Sequence, residues 1–202
     1  VESRTNYLIL DRIKGDCTIL AEPGVTVSES YLENMIHRME ETMKENDILV
    51  LSGDASNCIN ESVYNVILQK LKEKNLRVFL DTSGPVLKRC IQEKPYLIKP
   101  NLDELSFLMG RPLRTIDDIT AACRELQKTG ICVVATSLGG DGSIVCTETE
   151  TIRAYPPQIP IKNTIGCRDA YLSGLLAGLV MEMSMQETVR LATAVSAACA
   201  QS

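Results

Sequence analysis

Residues 77–109 read RVFLDTSGPVLKRCIQEKPYLIKPNLDELSFLM, and the fold can be built outward from them. Arg77–Leu80 is a short strand-forming run that stops at Asp81-Thr82-Ser83-Gly84, and Pro85–Glu93 then has helical composition. Tyr96–Ile98 is a second apolar strand that stops at Lys99-Pro100-Asn101, and Leu102–Met109 is helical again. Apolar strands separated by helices form a parallel sheet buried on both faces.

The alternation continues in both directions. Upstream, Asp47–Leu51 is an unbroken apolar strand ending in Ser52-Gly53-Asp54, followed by a helix over Glu61–Lys74. Before it, Ser28 and Glu29 open a helix whose Tyr31, Leu32, Met35, Ile36, Met39 and Met43 fall on one face. Downstream come a helix over Ile116–Lys128, a strand over Ile131–Thr136 and a hairpin of Ser143–Thr147 with Thr151–Ala154. Helices over Asp169–Met183 and Gln186–Ala200 close the chain. At the start, Asn6–Asp11 and Cys17–Ala21 flank Lys14-Gly15-Asp16 as a hairpin. The pattern predicts one domain spanning 1–202: a core over 25–202, preceded by hairpin strands within 4–21. The core is a three-layer α/β/α arrangement around a mainly parallel, doubly wound sheet.

Composition narrows the function classes. The formal charge of −5 argues against a nucleic-acid footprint, which needs clustered excess Lys and Arg. Eight scattered cysteines without a C-x-x-C pair read as reduced core thiols of a cytoplasmic protein. A single histidine, His37, gives little support to a Cys/His zinc site or a Ser/His/Asp triad. The longest apolar stretch, Ala170–Met181, is too short and broken to span a bilayer, so no membrane partner is expected. The chain opens on Val1 and its last helical run stops at Gln201-Ser202, so both ends are expected to be cut.

The chemistry concentrates in Ile161–Leu179, IKNTIGCRDAYLSGLLAGL. A loop here feeds a helix start, and the backbone N–H groups of Gly166, Cys167, Arg168 and Asp169 are expected to lack intrahelical partners. With the positive end of the helix dipole they make an anion hole. Asp169 at its edge can take a proton from a hydroxyl, and an anion hole beside a carboxylate base suits phosphoryl transfer to an alcohol. An Asp in a first helical turn is also a common cap. In an open parallel sheet ligands gather at the carboxyl ends of the strands, so Asp54, Asp81, Lys99, Asn101 and Gly139 are expected along one rim with this turn.

Two further segments have double readings. Asn101 and Glu104, three apart at a helix start, suit either Mg²⁺ with its retained waters or a plain capping pair. Ser137-Leu138-Gly139-Gly140-Asp141-Gly142 either brings glycine backbone close to a nucleotide phosphate or turns tightly into the hairpin. Neither G-x-G-x-x-G nor G-x-x-x-x-G-K-[ST] occurs.

The ordered series is more specific than any member of it. Arg4-Thr5-Asn6, Glu22-Pro23-Gly24, Leu80–Gly84, Ile98–Asn101 with Glu104, Ser137-Leu138-Gly139 with Gly142, and Asn163–Gly166 with Asp169 together resemble the ribokinase-like (PfkB) carbohydrate kinases. Within that family they resemble the 1-phosphofructokinase and tagatose-6-phosphate kinase branch. The resemblance implies ATP-dependent phosphorylation of a phosphosugar, with Asp169 as base and residues 166–169 as the anion hole. It implies that Asn101 and Glu104 help to hold Mg²⁺ and phosphate, and that Lys99, Ser137, Gly139 and Gly142 contact ATP. It places Arg4 and Asn6 on the lid side, toward the sugar phosphate, and makes a homodimer through lid strands a candidate assembly.

Three departures from the family pattern stand out. Gly-Ala-Gly-Asp is Gly166-Cys167-Arg168-Asp169 here, so Arg168 either strains a turn that needs positive φ or supplies charge to a phosphate. After Ser52-Gly53 the usual Ser-Leu-Pro-x-Gly is replaced by Asp54-Ala55-Ser56-Asn57-Cys58. The family's first and final portions are absent. A kinase-like domain that binds nucleotide or phosphosugar without transferring phosphate is therefore the alternative reading.

Overall fold

The computed structural model describes residues 5–11, 17–22, 24–53 and 63–201. Arg4, the Lys14-Gly15-Asp16 turn, Pro23, the Asp54–Cys58 departure and the start of the Glu61–Lys74 helix lie outside the described residues. β1 (Asn6–Leu10) and β2 (Cys17–Ala21) pair antiparallel as a separate two-stranded sheet. The main sheet has six strands in the order β3 (Ile48–Ser52), β4 (Arg77–Asp81), β5 (Leu97–Ile98), β6 (Val133–Ser137), β7 (Ser143–Cys146) and β8 (Thr151–Ala154). The first four run parallel, and the expected hairpin, β7–β8, extends the same sheet antiparallel.

The strands explain the two cores. Leu80, Ile98, Val134 and Ile144 face one core, whereas their neighbours Phe79, Leu97, Val133 and Val145 face the other. Successive residues therefore bury on opposite faces, as a sheet covered by helices on both sides requires. The first core takes in residues of α1 (Glu29–Thr42), α2 (Val63–Lys70), α3 (Gly84–Cys90), α4 (Leu102–Met109) and α5 (Ile116–Gln127). The second is covered by α6 (Cys167–Val180) and α7 (Met185–Ala200).

Local chemistry sets several helix starts. Capping boxes open α4 (Asn101/Glu104), α5 (Thr115/Asp118) and α7 (Ser184/Glu187), each joining two otherwise unpaired backbone N–H groups to side chains. The predicted spans agree with the observed ones to within a few residues. Of the expected face of α1, Ile36 is buried, while Tyr31 and Met35 are exposed. Cys90, Cys123 and Cys146 are buried free thiols, as expected, whereas the free thiols Cys167 and Cys199 are half-buried and Cys132 is exposed.

α6 and α7 lie close because glycine faces small residues across their contact. A Cβ on Gly174 would sit 2.4 Å from Ala192 Cα, and one on Gly178 would sit 2.8 Å from Thr188 Cα. Gly174→Ala must therefore push the helices apart and is expected to cost about 1–3 kcal/mol, read as a lower melting temperature. Gly140→Ala, with nothing within 4 Å, is the control and should stay within about 0.5 kcal/mol of the parent.

Candidate active site

The carboxyl ends of β3 and β4 and the first turn of α6 enclose a cleft of about 350 Å³. Ser52, Gly53, Asp81, Thr82 and Ser83 line it from the strands. Thr164, Gly166, Arg168 and Asp169 line it from the turn, and Glu104 from α4. The rim is braced by backbone and side-chain bonds: Gly53 N–H donates to Asp81 O (3.0 Å), and the Thr82 hydroxyl donates to Gly53 O (2.9 Å).

The turn is fastened from below. Asn163 Oδ1 accepts from Ile165 N–H (3.0 Å), the Ser196 hydroxyl of α7 donates to Cys167 O (3.0 Å), and Lys162 N–H donates to Ala200 O (2.9 Å). Tyr171, one turn into α6, is buried against Ser143 with 2.7 Å between hydroxyl oxygens, and burial pushes its phenol up to about 12. Gly166 caps α6 at φ 76°, a conformation that favours glycine. Arg168 has helical backbone and no positive φ, so the expected strain at that position is absent and the second possibility, a charge supplied by Arg168, remains.

One of the four amides expected to be free is taken up within the turn. Cys167 N–H donates to Thr164 O at 3.3 Å and closes the turn on itself. Ala170 N–H donates to Gly166 O (2.8 Å), the first regular bond of the helix. The N–H groups of Gly166, Arg168 and Asp169 have no acceptor among the described residues, which leaves three amides at the positive end of α6.

Lys99 lies beneath the cleft rather than on its wall. Its ammonium is 2.9 Å from Asp81 Oδ2 and its side chain is 0 % exposed, against 7 % for Asp81. The contact is an ion pair off hydrogen-bond alignment, and the ammonium has no hydrogen-bond partner among the described residues. Burial pushes the Lys99 ammonium below its ordinary value, opposed by the Asp81 carboxylate. Asp81 Oδ1 also accepts from Arg168 Nη2 at 3.3 Å.

Asn101 and Glu104 form the capping pair. Asn101 Oδ1 accepts from Glu104 N–H (2.8 Å), and Glu104 Oε2 accepts from Asn101 N–H (2.8 Å). Arg168 then clasps Glu104, with Nη1 and Nη2 each 3.1 Å from Oε1, and Nη2 3.0 Å from Oε2. Both oxygens of this carboxylate are occupied, Oε1 by the guanidinium and Oε2 by the guanidinium and the Asn101 N–H, so the pair does not fit a metal ion as it stands. Among the described residues no group of three or more His, Cys, Asp or Glu side chains could hold a metal.

The remaining expected contacts separate. Ser137 is bridged to Asn101, its N–H donating to Pro100 O (3.0 Å), so it stays at the strand-end rim. Gly142 has a packing role: a Cβ there would lie 2.0 Å from Ala154 O of β8. A Cβ added at Gly139, whose φ is 58°, would meet nothing within 4 Å. Asn6 lies exposed on β1, paired with Ala21. Asp81 was legible only as one rim residue, because its partners at 99 and 168 are brought to it by the fold. Among the described residues, no helix is long and apolar enough to cross a membrane.

Comparisons with known proteins agree with this geometry. The pattern of the pfkB family carbohydrate kinases matches residues 2–202. A 1-phosphofructokinase of Rhodobacter capsulatus is 32% identical over 195 residues, 96% of this chain and 62% of that protein. One from Escherichia coli K12 is 29% identical over 198 residues, 98% of this chain and 64% of that protein. A structure of Escherichia coli phosphofructokinase-2 in complex with potassium superposes with a TM-score of 0.90 at 25% identity, over 98% of this chain and 64% of that one. A ribokinase of Arabidopsis thaliana, solved with ribose and ATP, shares the fold at 22% identity and a TM-score of 0.73, over 98% of this chain and 63% of that one. The chain thus spans somewhat under two thirds of the length of the curated relatives it matches. Since that family pattern covers nearly the whole of it, the chain belongs to the pfkB family of carbohydrate kinases.

Proposed function

We propose that the whole protein carrying this chain transfers a phosphoryl group from ATP to a hydroxyl of a phosphosugar of the fructose 1-phosphate or tagatose 6-phosphate type. The observation that carries this reading is the placing of Asp169, the Arg168 and Asp169 amides and the strand ends Ser52–Gly53 and Asp81–Ser83 around one cleft. Asp169 takes the proton of the attacking hydroxyl. The two amides and the α6 dipole receive charge that builds on the moving phosphoryl oxygens.

Ser137, at the end of β6, and Gly139, just beyond it, are the ATP-side contacts. Lys99 acts on that side through Asp81, and Gly142 by shaping the turn against β8. Asn6 and Arg4 serve the sugar phosphate from the lid. The exposed β1 and β2 strands, with Tyr7, Leu8, Ile9, Leu10, Ile19 and Leu20 open, are the surface for a homodimer. Mg²⁺, which accompanies nucleotides in such kinases, has no open carboxylate at Glu104, and no step is assigned to it.

The alternative is a domain that binds the same ligands without transferring phosphate, favoured by the clasp of Arg168 on Glu104. Thermal denaturation of the full-length protein separates these readings from a purely structural role. ATP at about 100 times its Kd should stabilise the fold by about 2.7 kcal/mol, and an unmoved melting temperature would overturn both ligand-binding readings. Arg168→Gly then separates transfer from mere binding. A fall in kinase rate makes Arg168 part of the working site, and a large gain marks it as the block.

A further inference from the structure

Four charged groups meet on the floor of the cleft: the carboxylates of Asp81 and Glu104, the ammonium of Lys99 and the guanidinium of Arg168. Two negative and two positive groups leave the cluster neutral. With glycine at 168 the same cluster would carry one net negative charge. The outer edge of Glu104 would then be an open hard-oxygen ligand, the condition a divalent cation requires.

Arg168 removes both features. Oε1 of Glu104 receives two guanidinium contacts at 3.1 Å, and Oε2 receives one at 3.0 Å together with the Asn101 N–H at 2.8 Å. Asp81, the other carboxylate, is shared between Lys99 and Arg168. A dication brought to either group would have to displace a guanidinium or stand against it, at a like-charge cost.

The guanidinium is not used up by its clasp. Arg carries five N–H groups, and these contacts involve only Nη1 and Nη2, so donors remain. Its side chain is 45 % exposed, against 12 % for Glu104, and lines the cleft beside Asp169. A planar, permanently charged fork held in place by two carboxylates is preorganised for phosphate oxygens.

We infer that Arg168 takes the place of a divalent cation at Glu104, so that nucleotide phosphates in this cleft are met by the guanidinium and the α6 amides, without a metal bound to protein carboxylates. This rests on the proposed reading of the cleft as a nucleotide-phosphate site. Arg168 is on this account a specificity-determining residue: it fixes which cation the phosphates meet.

The test is calorimetric titration of the full-length protein with ADP, in Mg²⁺ and in excess EDTA. For the parent the two Kd values should agree within about threefold, since the charge is built in. In EDTA, Arg168→Gly and Arg168→Gln should each weaken ADP about tenfold or more, as loss of a charge-assisted phosphate contact does. Mg²⁺ should restore binding to Arg168→Gly, whose Glu104 is unclasped. Paramagnetic titration with Mn²⁺ adds a second readout: Arg168→Gly should gain a bound ion that the parent lacks, and Arg168→Gly with Glu104→Gln should lose it again.

If the parent loses ADP affinity about tenfold in EDTA, or if both Arg168 variants bind as the parent does, the inference is overturned and the nucleotide reading stands. If the parent binds no ADP in either buffer, the nucleotide reading falls and the inference with it. The parent titrations decide the matter even where a variant fails to fold.

Discussion

Asp169→Asn in the full-length protein is expected to lower the proposed kinase's kcat by about 10²–10⁴-fold, the usual contribution of a positioned general base. Asparagine keeps the shape of the side chain and its place in the first turn of α6, but it cannot accept the proton of an attacking hydroxyl. Asp169 lies at the cleft wall with Gly166 and Arg168. The turn that carries it is fixed by Ser196, Asn163 and Lys162, so the variant should fold as the parent does. Steady-state kinetics should therefore show a fall in kcat with the KM for phosphosugar changed only a few-fold, about the scale of one lost uniform contact. Turnover near that of the parent would take Asp169 out of the mechanism.

Asp81→Ala should have the largest effect on stability. The carboxylate faces the fully buried Lys99 ammonium at 2.9 Å, and removing it leaves that charge buried against no close partner. Such a broken buried pair costs about 3–5 kcal/mol, which for a domain of this size lowers the melting temperature by roughly 6–20 °C. The pH dependence identifies the cause. Burial already holds Lys99 below its ordinary value of 10.5, and Asp81 opposes that shift, so the variant's ammonium titrates lower still.

Between the folded value and that of the unfolded chain, the unfolded state binds more protons, and stability rises with pH. The deficit of Asp81→Ala should therefore narrow as pH is raised from neutrality toward 10.5. Adding Lys99→Met should recover most of the loss at neutral pH. A deficit that ignores both pH and the second substitution would mean that the damage arises elsewhere on the rim.

The layers of the fold were legible because their determinants are local. Apolar runs such as Arg77–Leu80 and Ile131–Thr136 can only be strands buried on both faces, and Asn101 with Glu104 announces a helix start whatever lies around it. The observed α4 coincides with the expected Leu102–Met109 for the same reason. α6 begins two residues earlier than expected, at Cys167, because Gly166 in the left-handed region already caps it.

What the sequence could not reveal is long-range. Arg168 meets Glu104 and Asp81 across 64 and 87 residues, and its consequence, a filled carboxylate where a metal pair was expected, follows only when α4 and α6 are brought start to start. Cys167 N–H turning back onto Thr164 O, and Gly142 seated against Ala154 O, are likewise facts of packing. In each case the residue was visible and its partner was not.

The α6 turn and Asp169, if they form a phosphoryl-transfer site, must join phosphate to sugar in solution. Phosphorus NMR of the full-length protein incubated with ATP and, in separate samples, fructose 1-phosphate and tagatose 6-phosphate tests it most directly. A sugar bisphosphate should appear in step with ADP in at least one sample and be lost in Asp169→Asn. Binding of ATP and phosphosugar with no bisphosphate from either sugar would contradict it and leave a domain that holds these ligands without joining them.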